Sequence, residues 1–156
     1  MGYYEDALIR MEKRFGEMVA APYSTLWEGW EYTGGKGMKY KSGNGTYNHA
    51  WSGGGLTILS QFIAGIEPIE PQFKLFKVCP NLATLNRVKS VVPTVFGNIV
   101  MTAQKVDNAL NITLTVPQGT VAKVVVPQGY NSLSCDGKNN TELTLNAGAY
   151  CITATK

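Results

Sequence analysis

Two short stretches hold the side chains best suited to chemistry. In T-L-W-E-G-W (25–30) a carboxylate, Glu28, stands between Trp27 and Trp30, and further along Y-N-H-A-W (47–51) carries the sole histidine, His49. A carboxylate flanked by indoles is partly stripped of water, which favours its acting as a base, and indole faces suit the C–H faces of a sugar ring. Hydrolysis of a glycosidic bond with inversion needs an acid to protonate the leaving oxygen and a carboxylate about 6.5–9.5 Å away to activate water. Glu28 fits one of those two roles. A competing reading makes Trp27 and Trp30 core anchors and Glu28 a solvated charge at a helix end, because aromatic side chains are buried more often than they serve catalysis. His49 is open in the same way. A neutral imidazole donates to a substrate hydroxyl, whereas a histidine at this place also serves to cap a following helix.

The surrounding elements must position both stretches. Over residues 3–21 the apolar side chains Tyr4, Ala7, Leu8, Met11, Phe15, Met18 and Val19 recur at the spacing of one helical face. Pro22 follows, and proline disfavours helical geometry in the residue before it, so the helix should stop near Ala20 or Ala21. Glu31 to Gly45, rich in glycine and lysine, reads as a long surface loop, and loops of that length raise the prior on a site nearby. A second helical pattern runs from Ala50 to Ile66 through Trp51, Leu56, Leu59, Phe62 and Ile63. It contains Gly53, Gly54 and Gly55, each costing up to about 1 kcal/mol relative to alanine, which points to something approaching the backbone closely. From residue 73 the period changes to alternation, giving about seven or eight short strands, the pattern of an antiparallel sandwich. Two V-P-Q-G runs, at Val116 and Val126, read as recurrent turn chemistry rather than as a repeat unit.

Composition excludes several classes. The net charge of +3 is interspersed along the chain, a weak basis for a nucleic-acid or membrane partner, and neither is expected. The first residues lack the layout of a signal peptide. One histidine and no C-x-x-C give too few ligands for zinc, so no metal is assigned and no cofactor is expected. Cys79, Cys135 and Cys151 read as buried free thiols, with a Cys135–Cys151 pair as the alternative if neighbouring strands bring them together. G-G-K-G (34–37) lacks the spacing of a phosphate loop. Two helices of about 35 residues in all are too few to enclose a core, so they pack on the sandwich or belong to a larger helical domain.

The order T-L-W-E, then N-H, then F-I-A-G-I-E-P-I-E-P-Q-F, then a sandwich pattern resembles the bacterial α-L-rhamnosidases, inverting glycoside hydrolases. The resemblance implies an α + β arrangement in two parts: residues 1–71 as the C-terminal helices of an (α/α)6 catalytic barrel, and residues 72–156 as a small antiparallel β-sandwich. It implies Glu28 as the general base, His49 as a contact to bound rhamnose and Trp30 as a wall of the sugar site. The chain departs from the family in reading A-W-S-G-G-G after the N-H pair, which implies an altered pocket floor. The family's general acid lies upstream, and Glu5, Glu12 and Glu17 read as solvated helix charges. The chain is therefore expected to be a C-terminal fragment that is inactive alone. Its partners would be the rest of the barrel and a rhamnose-containing carbohydrate for the parent, with dimerisation through exposed apolar helices. A bacterial parent of this kind would act in the periplasm or outside the cell. The rival reading is a non-catalytic carbohydrate-binding sandwich with a helical brace, holding sugar through Tyr130 or Tyr150. A third, an interaction domain, would bury Trp27, Trp30 and His49.

Overall fold

A computed structural model describes residues 3–23, 25–33, 39–42 and 45–156. Helix α1 (Tyr4–Ala20) follows the apolar stripe, with Glu5 and Asp6 in the first turn, where the helix dipole favours negative charge. Ala21 leaves it at φ −71°, ψ 148°, the extended geometry that Pro22 imposes on its predecessor. The expected loop is in part a hairpin: β1 (Trp30–Thr33) pairs antiparallel with β2 (Lys39–Ser42), Tyr32 opposite Tyr40. Glycine and lysine masked the pairing propensity of W-E-Y-T and K-Y-K-S, where aromatic residues and threonine favour extended backbone.

The second helical stretch is broken into a 3₁₀ turn (Ala50–Gly53), one α-helical turn, α2 (Gly54–Thr57), and a π-helical segment (Ile58–Ile63). Of its three glycines, Gly55 carries the close approach: a Cβ there would lie 3.2 Å from Phe15 Cζ and 3.3 Å from Met11 Cε on α1. The chain divides into two compact units, Met1–Ile58 and Leu59–Lys156.

The second unit is a β-sandwich. One sheet has six strands, in the order β10 (Lys138–Asn140), β9 (Ser132–Cys135), β12 (Gly148–Thr155), β7 (Ala109–Val116), β6 (Gly97–Val106), β5 (Arg87–Thr94). The other has four: β11 (Glu142–Leu145), β8 (Val121–Val125), β4 (Leu75–Val78), β3 (Ile66–Pro68). The sandwich thus includes a strand that lies before residue 72. All neighbours pair antiparallel except β4 and β8, which run parallel with Phe76 opposite Ala122. Alternation sets the core. Ile99, Met101 and Ala103 of β6 and Leu110, Ile112, Leu114 and Val116 of β7 point inward and join Phe76, Val78, Ala122 and Val124 of the other sheet.

Nine strands follow residue 73, and the hairpin β9–β10 is the addition to the sequence reading. Its polar composition hid it, although Asp136 and Gly137, at φ 60° and φ 80°, are the residues a two-residue hairpin turn requires. Both V-P-Q-G runs are turns: the Thr120 and Tyr130 amides donate to Pro117 O and Pro127 O, and Gly119 and Gly129 take positive φ. The three cysteines are free, Cys79 and Cys135 half-buried. Cys151 is exposed rather than buried, because strand alternation turns Ile152, not its neighbour, into the core.

Candidate functional site

Glu28 and His49 come together although they lie on separate stretches. Backbone hydrogen bonds lace the two: the Glu28 amide donates to Thr46 O (2.9 Å) and the His49 amide to Leu26 O (2.7 Å). The indole of Trp51 adds a third tie, donating from Nε1 to Glu28 O at 2.6 Å, and Ser52 Oγ donates to Trp27 O. Thr25 Oγ1 donates to Tyr47 O, closing the first stretch onto the second.

In this frame Glu28 Oε2 accepts from the Thr46 amide (2.8 Å) and from Thr46 Oγ1 (3.2 Å), and lies 3.6 Å from His49 Nδ1. Thr46 Oγ1 is 3.3 Å from the same Nδ1. The carboxyl of Glu28 is held below its ordinary value, chiefly by the Thr46 amide and next by the Thr46 hydroxyl; partial loss of water pulls weakly the other way. The balance differs from the sequence expectation of a carboxylate dried by indoles. The side chain remains 30% exposed, and Trp27 is turned inward, packing edge-on to Tyr47 at 5.6 Å. Trp27 is therefore an anchor, its Nε1 finding no acceptor among the described residues. The side chain of Trp30 lies outside the described residues; its backbone pairs with Ser42.

His49 occupies the position before the 3₁₀ turn but makes no side-chain cap, so the capping alternative fails in its simple form. Its ring instead packs against exposed Trp51, centroids 4.4 Å apart. Thr46 is the residue sequence reasoning missed; a threonine three positions before the histidine carries no signal until the fold brings Glu28 to it. Gly45, at φ +150°, allows this approach, since a Cβ there would stand 2.8 Å from Glu28 Oε2. Among the described residues no three His, Cys, Asp or Glu side chains gather as metal ligands would.

Residues 65–141 match the family model described as bacterial alpha-L-rhamnosidase C-terminal domain. These residues belong to that domain family. The match runs through the sandwich from Gly65 before β3 to just past β10, stops short of β11 and β12, and leaves Glu28 and His49 outside it. Structures similar to the chain include an α-L-rhamnosidase from Dictyoglumus thermophilum (TM-score 0.72, 21% identity, covering 92% of this chain and 17% of that one). Another is that of Streptomyces avermitilis complexed with L-rhamnose (TM-score 0.68, 19% identity, 90% of this chain and 15% of that one). A third is the enzyme of Aspergillus terreus (TM-score 0.65, 20% identity, 90% and 16%). At these identities the likeness is one of fold, and it extends beyond the rhamnosidase C-terminal domain into the helical unit. The chain spans about a sixth of the length of these structures. No curated protein matches it.

Proposed function

We propose that this chain is the C-terminal part of an inverting α-L-rhamnosidase, with the helices ahead of β3 as the closing helices of an (α/α)6 barrel and the appended sandwich beginning at β3 rather than at residue 72. Glu28 is the general base: ionised, it takes a proton from the water that attacks the anomeric carbon, while an acid elsewhere protonates the departing oxygen. His49 holds a sugar hydroxyl, and Trp30 walls the sugar. The observation that carries this reading is the convergence of the Glu28 carboxylate and the His49 ring to 3.6 Å, in a chain whose residues 65–141 match a rhamnosidase C-terminal domain.

None of Glu5, Glu12 and Glu17 supplies the acid; they are charges of α1, Glu5 and Glu12 exposed and Glu17 half-buried. Without an acid about 10²- to 10⁴-fold of rate is lost, and most substrate contacts are lost with the rest of the barrel. The chain alone does not hydrolyse rhamnosides. Incubation with an aryl α-L-rhamnoside at high protein concentration tests this; turnover that Glu28→Gln abolishes would overturn it. In the full-length enzyme Glu28→Gln lowers kcat far more than it changes KM, and an unchanged kcat removes Glu28 from the base role.

A second reading has one observation of its own. A depression of about 240 Å³ on the sandwich is lined by Asn81, Lys105, Gln128 and Tyr130, a ring beside polar groups as a sugar-binding module would have. Titration of the chain with L-rhamnose separates the two: saturable binding lost in Tyr130→Ala favours the module, binding lost in His49→Ala favours the barrel.

A further inference from the structure

The hydroxyl of Thr46 has one hydrogen and two neighbours that both want a decided direction. It stands 3.2 Å from Glu28 Oε2 and 3.3 Å from His49 Nδ1. An ionised carboxylate only accepts, so the Thr46 hydrogen points to Oε2. The hydroxyl then meets Nδ1 with a lone pair, and a contact of that kind requires a hydrogen on Nδ1.

We infer that Thr46 is a positioning residue that fixes His49 as the Nδ1–H tautomer, through the chain His49 Nδ1–H to Thr46 Oγ1, and Thr46 Oγ1–H to Glu28 Oε2. The carboxylate supports the same choice. At 3.6 Å it is too far from Nδ1 for a direct hydrogen bond, yet its charge favours a hydrogen rather than a lone pair on the facing nitrogen. In the opposite tautomer the Nδ1 lone pair would face the lone pairs of both oxygens, or the hydroxyl would have to turn away from Glu28. The His49 backbone is held by its amide bond to Leu26 O, and the ring packs on Trp51, which favours the observed orientation.

The consequence reverses the hydrogen bond expected from sequence. With the hydrogen on Nδ1, Nε2 presents a lone pair, so His49 accepts from a sugar hydroxyl instead of donating to one. A hydroxyl that must act as donor is thereby selected over an ether oxygen, which can only accept. The sugar as ligand rests on the proposed function; the tautomer does not.

Because the chain holds a single histidine, the test needs no assignment. The full chain labelled with ¹⁵N is measured by long-range ¹H–¹⁵N correlation at about pH 8.5, well above the usual imidazole pKa of about 6.5. The expected result is a protonated-type Nδ1 and an unprotonated-type Nε2, the tautomer a free histidine side chain disfavours. Predominant Nε2–H, or the free-histidine mixture, overturns the inference. Thr46→Ser retains the Nδ1–H pattern and Thr46→Val shifts it toward predominant Nε2–H; a Thr46→Val spectrum still showing Nδ1–H overturns the role of Thr46. Glu28→Gln, which frees the hydroxyl to turn toward Nδ1, also lowers the Nδ1–H fraction, and an unaltered fraction sinks the relay. A wrong tautomer leaves Glu28 as base untouched, whereas failure of the chain to bind L-rhamnose leaves the tautomer untouched.

Discussion

The Glu28 carboxylate is the residue on which most depends, and its environment has a thermodynamic signature. A carboxyl depressed by native hydrogen bonds contributes stability that is complete above its ordinary value of 4.5 and drains away as the pH falls through the folded value. Below pH 4.5 the thermal midpoint of the wild-type chain should therefore fall more steeply than that of Glu28→Gln, which has no proton to take up there. Parallel curves would mean that the Thr46 bonds do not form. Gly45 gives a second probe. Its φ of +150° and the 2.8 Å approach to Oε2 leave no place for a methyl group, so Gly45→Ala should push Glu28 off Thr46 and reproduce the shallower acid dependence of Glu28→Gln. Glu28 and His49 were legible as candidates because their residue types carry chemistry. Thr46 and Gly45 were not, since their roles come from a contact across the fold.

At the scale of elements, two glycines separate tolerance from strict need. Gly55 faces Phe15 and Met11 at 3.2–3.3 Å, flexible side-chain ends that can yield to a methyl but not to a branched chain. Gly55→Leu should cost about 1–3 kcal/mol by overpacking, read as a lower denaturation midpoint of the helical unit, with Gly55→Ala much milder. Gly65 is different: at φ +69°, a Cβ would lie 2.0 Å from the Cys79 carbonyl oxygen, and backbone cannot move aside. Gly65→Ala should destabilise the sandwich by about 3 kcal/mol or more, measured by urea unfolding; a loss below about 1 kcal/mol would show that the β3–β4 pairing is dispensable. The strands with clean alternation, β6, β7, β8 and β12, were readable because one face of each is buried. The hairpins β1–β2 and β9–β10 were not, because their polar or glycine-rich composition gives no period to detect.

For the whole molecule the two units make separate predictions. Among the described residues, the core cluster of the sandwich is made of residues from Ala64 to Ala154. Residues 59–156 expressed alone should therefore unfold in one cooperative thermal transition by circular dichroism, and absence of such a transition would make the helical unit part of the folding unit. The helical unit leaves Ile9, Val19, Tyr23, Trp51 and Leu56 exposed. Apolar surface of that kind seeks cover, so sedimentation should show concentration-dependent self-association of the 156-residue chain, reduced by Val19→Lys with Leu56→Lys. A strict monomer at all concentrations would count against missing barrel helices as the natural cover.

By itself the sequence determined the amphipathic helix and its end at Pro22, the alternating core strands, the V-P-Q-G turns and the two candidate residues. Each of these is a local matter of side-chain period, proline geometry or functional-group chemistry. Only the tertiary structure decided the parallel pairing of β4 with β8, the inward turn of Trp27, and the meeting of Glu28 with His49 through Thr46. Those depend on which distant segments pack together, and that is set by the summed burial and hydrogen bonding of the folded chain rather than by any window of it.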